Sequence, residues 1–184
     1  MKSKKISVML ITVLCLSILG SLAFAAQDKY AVKVSGGLAF SEFRGYESWQ
    51  LISISHSGPA MAATLGNPAM IKAYADGFPG NGKPVPDGAK MAKIHWTTKD
   101  LETFSGATVP AVQHDADFMV KDSKRFADSG GWGWGAFEYD AKSDTFKPAD
   151  MTAKPPQGND AKCGFACHTK VKSDDYVFTK YGHR

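Results

Sequence analysis

Residues 89–98 read AKMAKIHWTT, and the alternation within them decides the fold. In an extended chain Lys90, Ala92, Ile94 and Trp96 fall on one side, and Met91, Lys93 and His95 on the other. That is the pattern of a strand with two differently used faces. Working outward, HDADFMV (114–120) and WGWGAFEYD (132–140) read the same way, so three strands are expected in succession. In the last of these Trp132, Trp134, Ala136 and Glu138 alternate with glycines and Phe137, and the glycines suggest close approach by something bulky, or a bulge.

The segments between are short. KDSKRFADSGG (121–131) reads as a short helix ended by glycine. Upstream, FPGNGKPVPDG (78–88) is so rich in Pro, Gly, Asn and Asp that it must turn. Before it, Asn67-Pro68 opens a helix that runs through AMIKAYAD and stops at Gly77. Phe43, Tyr46 and Trp49 to Leu51 predict an amphipathic helix over 41–52. KPADMTAKPPQGND (147–160) reads as a linker, and a last helix is expected from near Asp160. Strands joined by turns, without regular crossover helices, argue for an α+β fold around an antiparallel sheet.

The chain of 184 residues opens with three lysines in MKSKK, an apolar run and the small-residue exit Ala23-Phe24-Ala25. That order is a secretory signal, so 1–25 is expected to be removed and 26–184 to form a single domain. No lasting membrane span is expected. The net charge of +4 falls to +1 without the three leader lysines, leaving no basic stripe for nucleic acid. An exported, periplasmic protein is the expectation.

DAKCGFACHTK (160–170) carries the chemistry. Cys163, Cys167 and His168 nearly reproduce the c-type haem attachment pattern, with one extra residue between the cysteines. Two thiols can add to the haem vinyl groups, and the next histidine can supply an axial nitrogen to the iron. If the segment is helical, Cys163 lies one turn before Cys167. Two other readings stay open. An oxidising compartment allows a plain disulfide, and zinc would need further ligands, for which His168 and His183 are the nearby histidines.

Three segments, GKPVPDGAKMAKIHW (82–96), VKDSKRFADSGGWGW (120–134) and CGFACHTKVKSDDYVFTKY (163–181), together resemble the cytochrome P-460 family, which is related to the β-sheet cytochromes c′. The resemblance runs from about Tyr46 to Tyr181. It implies a mainly antiparallel sheet with flanking helices, a C-terminal haem-binding helix and a homodimer. It implies haem c on Cys163 and Cys167, with His168 as the metal ligand and the other face open. It also implies a lysine joined to the porphyrin edge, which falls at Lys93, and a distal carboxylate, which falls at Asp117.

What the resemblance implies for activity is oxidation of hydroxylamine to nitrous oxide or nitric oxide, with electrons passed to a soluble acceptor such as another cytochrome. The competing expectation is a gas-binding or electron-transfer cytochrome of the c′-beta type. The chain departs from the family pattern in three places. It has the extra residue before Cys167, it shows no distal arginine in SGPAMAATLGN (57–67), and it has Asp rather than Glu at 117. The residues alone do not choose between Lys90 and Lys93. For Asp117, apolar neighbours Ala116 and Phe118 suit a carboxyl that relays protons; Asp115 shares its side, and His114 is expected on the other.

Overall fold

A computed structural model describes residues 26–34, 36–150, 152 and 160–182. The expected leader at 1–25 and most of the 147–160 linker lie outside the described residues. Among those described, no helix is long and apolar enough to cross a membrane.

Six strands form one sheet in the order of the sequence, each antiparallel to the next. They are β1 (Gln50–Ser57), β2 (Ala60–Gly66), β3 (Lys90–Asp100), β4 (Thr108–Lys121), β5 (Trp132–Asp140) and β6 (Thr145–Pro148). The alternation in 89–98 holds in β3. Ala92 and Ile94 join one core with Phe118, Val120 and Phe137. Met91 joins a second core on the opposite face with Met119, Trp132 and Trp134.

The first face is covered by the N-terminal segment, and here the expected helix over 41–52 is replaced by two short 3-10 turns, Phe40–Phe43 and Tyr46–Ser48. Phe43, Tyr46 and Trp49 are spaced by three, which is the 3-10 repeat. Gly45 between the turns has φ +83°, a left-handed conformation that ends any continuous helix. From Gln50 the chain is already strand β1. The aromatic rings carry this core. Phe43 stacks on Phe118 at 4.3 Å, and Phe40 meets Phe118, Phe137 and Phe146 edge-on or tilted at 4.9 to 5.1 Å. Each such buried ring contributes about 1.5–3 kcal/mol.

The second face is covered by helix α1 (Pro68–Ala75) and by the C-terminal segment. Asn67 caps α1, accepting from the Met70 N–H at 3.0 Å. It also accepts from the Lys90 N–H at 2.9 Å and donates to the Gly88 carbonyl at 2.9 Å, which ties the helix start to the start of β3. Met70, Ala73 and Tyr74 form the buried stripe.

The expected C-terminal helix from Asp160 does not form. Ala161 has φ +60°, and Lys162 bridges Trp134 alongside β5, so the chain is still bound to the sheet at that point. Helix α2 is a single turn, Phe165–His168, followed by a 3-10 stretch, Thr169–Asp174, kinked at Val171. Cys163 therefore precedes the helix rather than sharing its face with Cys167. The short helix expected in 121–131 is reduced to a 3-10 turn, Ala127–Ser129, ended by Gly130.

Gly133 in β5 shows what the strand glycines admit. A Cβ there would stand 2.4 Å from the Phe126 ring. Gly133→Ala is expected to destabilise the fold by about 1–3 kcal/mol through overpacking, measured by chemical denaturation.

Candidate functional site

Register places three rows of side chains across the second face of the sheet. The first row is Met91, Met119 and Trp134; the second is Thr64, Lys93, Asp117 and Ala136; the third is Ala62, His95, Asp115 and Glu138. Above these rows a cavity of about 360 Å³ lies between the sheet and the C-terminal segment, which contributes His168, Val177, Phe178 and Thr179. His168 and Asp117, 51 residues apart in sequence, thus line one cavity.

His168 is held by its backbone neighbours. Its Nδ1 lies 2.6 Å from the Tyr176 carbonyl, which can only accept, so Nδ1 carries the hydrogen and Nε2 keeps its lone pair. Trp134 and Phe178 flank the ring at 5.4 and 5.0 Å. Burial, and then the charge of Lys93, lower the His168 pKa from its ordinary value. The ring is therefore neutral at neutral pH, as an axial nitrogen must be.

The loop that supplies the Tyr176 carbonyl is anchored from below. Asp175 and Tyr176 both have positive φ, 47° and 63°. Lys121, only 6% exposed, reaches Asp175 Oδ1 at 2.7 Å and Oδ2 at 2.9 Å, and donates to the Gly130 carbonyl at 3.0 Å. Asp175 also accepts from the Val85 N–H at 2.8 Å. Lys121 is thus partnered by Asp175 and not by Asp117.

Asp117 has the most altered acidity in the cavity. Its side chain keeps 24% exposure, yet Oδ1 is sealed and meets no hydrogen-bond donor. Burial and the neighbouring Asp115 raise its pKa to about 7, against the opposing pull of His95 and Lys93. His95 Nδ1 contacts Asp115 Oδ1 and stands 3.8 Å from Asp117 Oδ2.

Lys93 lines the cavity beside Asp117, its partner across the strands. Lys90 does not, because it reaches over the Phe43 ring to the Glu42 carbonyl on the other face. Cys163 packs against the Trp132, Trp134 and Tyr176 cluster, and Cys167 is exposed; the two are not joined in a disulfide. Neither lines the cavity itself, but Cys167 adjoins His168 in α2.

One expectation about direction fails. His114 also lines the cavity, although alternation sends it to the far side. His95 pairs with Asp115 and Trp96 with Gln113, so His114 is an extra residue in β4. Such a bulge locally breaks the alternation and re-aims the side chain. The parity shared by Lys93 with His95, and by Asp115 with Asp117, makes the rest of the cluster visible in the sequence. Nothing in the sequence marks the Tyr176 carbonyl or the Lys121–Asp175 pair.

The donor set fits a haem. It offers a neutral imidazole with one nitrogen tied back, two thiols just before that imidazole in the chain, a cavity with apolar walls of Met91, Met119 and Val177, and a buried carboxyl oxygen without a partner. Residues 43–179 match the family model described as cytochrome P460. That span includes every site residue named above. No individual curated protein matches the chain.

Proposed function

The chain belongs to the cytochrome P460 family of haem cytochromes, and on that premise we propose that it carries haem c on Cys163 and Cys167, with His168 as axial ligand, and oxidises hydroxylamine. The observation that carries this reading is Asp117, a carboxyl with one sealed, partnerless oxygen and a pKa near 7 in the cavity that also holds His168. A bound haem would supply the redox-active iron that takes up electrons. The remaining work belongs to the chain. Oxidation of hydroxylamine to nitrous or nitric oxide releases a proton with every electron, and Asp117 is placed to receive those protons near neutral pH. His168, oriented by the Tyr176 carbonyl and packed against Trp134 and Phe178, would present its Nε2 to the iron. The electrons pass to a soluble acceptor such as another cytochrome. Export to the periplasm and a homodimeric state belong to the same proposal.

The test is steady-state oxidation of hydroxylamine by haem-loaded protein with an artificial electron acceptor. Turnover supports the proposal, whereas haem-loaded protein that reduces no acceptor overturns it. A second reading, capture of nitric oxide without turnover, is favoured by the apolar walls of Met91, Met119 and Val177. It predicts a nitric oxide-dependent spectral shift in that same inactive protein.

Lys93 is proposed as the residue joined to the porphyrin edge, since it lines the cavity and Lys90 does not. A tryptic haem peptide is then expected to contain both the 163–168 segment and the Lys93 segment. In Lys93→Arg the second segment should be absent while haem stays on the cysteines. A link that survives the substitution would remove Lys93 from this role.

A further inference from the structure

Asp117 Oδ1 is sealed and the rest of the carboxyl opens on the cavity, so with that cavity occupied a proton received there needs another way out. Around it stand Lys93 and His95 from β3, Asp115 and His114 from β4, and His168 from the C-terminal segment; Glu138 of β5 lies across from Asp115 and pairs with Lys147 at 2.9 Å. Three of these groups lie in contact one after another, and the last of them, His114, is the most exposed. One atom each of His95, Asp115 and Asp117 lies within 4.8 Å of the others. Asp115 Oδ1 contacts His95 Nδ1, and Asp115 Oδ2 lies 2.7 Å from His114 Nδ1. The two imidazoles stack at 5.7 Å, and the His114 side chain is 46% exposed. Only the bulge in β4 turns His114 toward this cluster.

We propose that His95, Asp115 and His114 form a proton exit that connects Asp117 to solvent. The inference rests on the hydroxylamine reading for its purpose, but not for its geometry. His95 Nδ1 faces both carboxyls. Its Nδ1–H passes its proton to Asp115 Oδ1, and the emptied Nδ1 takes the proton of Asp117 in its place across the 3.8 Å gap, which one water or a small side-chain rotation closes. Once Asp115 is protonated, His114 exchanges through water to the tautomer that leaves Nδ1 a lone pair, and the Asp115 carboxyl turns about its Cβ–Cγ bond and hands Nδ1 the proton. His114 then releases its Nε2 proton to solvent, which restores the Nδ1–H tautomer. Charge is conserved at each transfer, and no oxidant is needed. His95, Asp115 and His114 act through Asp117, so they are relay residues and not catalytic ones.

The test uses the haem-loaded protein and two variants, His114→Phe at the exposed end and the nearly isosteric Asp115→Asn. The first readout needs no substrate: the rate at which the Asp117 carboxyl band in the infrared responds to a pH jump. Both variants are expected to slow that response by about 10- to 100-fold, within or just below the usual contribution of a positioned proton acceptor. Added imidazole should restore the rate in His114→Phe, which a merely structural role for His114 would not allow. Unchanged rates in both variants would overturn the relay. The second readout is hydroxylamine turnover at low buffer concentration, expected to fall in parallel. Slowed infrared response in a protein that does not turn over hydroxylamine would sustain the relay and overturn the activity.

Discussion

Asp117→Asn is expected to slow hydroxylamine oxidation by about 10²- to 10⁴-fold while leaving haem attachment unchanged. Asparagine keeps the shape of the side chain but cannot accept a proton, so only the chemistry should suffer. Stability should move the other way. Folding raises the Asp117 pKa from 3.8 to about 7. Between those values the folded chain holds a proton that the unfolded chain has released, so raising the pH through this window weakens the native state. Above the window the ionised carboxylate costs roughly 4 kcal/mol relative to a normal one. Asn carries no such cost. The variant should therefore melt higher than the wild type at pH 8, with the gap closing toward pH 4. A variant with full turnover, or one whose melting temperature shows no dependence of this sign, would exclude the assigned role.

Asp175→Ala is expected to lower stability by about 3–5 kcal/mol, because it strands the Lys121 ammonium in the interior. Lys121 is 6% exposed and, among the described residues, has the Gly130 carbonyl besides Asp175 as its polar contact at hydrogen-bond distance. For a chain of this size that corresponds to a fall in Tm of roughly 10 °C. The loss should reach the cavity as well, since Asp175 precedes the residue whose carbonyl orients His168. Replacing both partners, as Lys121→Met with Asp175→Leu, removes the stranded charge and should restore much of the stability. Thermal denaturation of the single and double variants decides this; equal Tm values for wild type and Asp175→Ala would show that the pair contributes nothing.

The parts of the molecule legible in the sequence are those where side-chain period and burial agree. Alternation in β3 and β5 is enforced by two cores, one on each face, so Ala92 and Met91 could be sorted without coordinates. Asn67-Pro68 is legible because the cap chemistry is local. The β1–β2 hairpin was hidden by the aromatic spacing ahead of it, which fits a 3-10 turn as well as a helix. β6 has four residues and owes its place to the Phe146 ring against Tyr139 at 4.9 Å, a contact that its sequence alone cannot announce. In the site, the attachment pattern singles out His168 and the resemblance singles out Lys93 and Asp117, and the structure brings all three to one cavity. His114 was misdirected, because a bulge is a property of paired strands and not of one strand. The carbonyl behind His168 was invisible, since any residue type could supply it.

The order of the strands has a consequence for assembly. Since every strand hydrogen-bonds its neighbour in the chain, the sheet can zip up hairpin by hairpin, with the 67–89 connection that carries α1 as the longest loop to close between strands. The C-terminal segment is different: it must return to β4 and β5, from Asp175 to Lys121 and from His168 to Trp134. Docking of that tail closes the longer loops, from 121 to 175 and from 134 to 168, and is expected to come late. If haem is loaded onto Cys163 and Cys167 as proposed, both thiols would be open to that reaction until the segment docks.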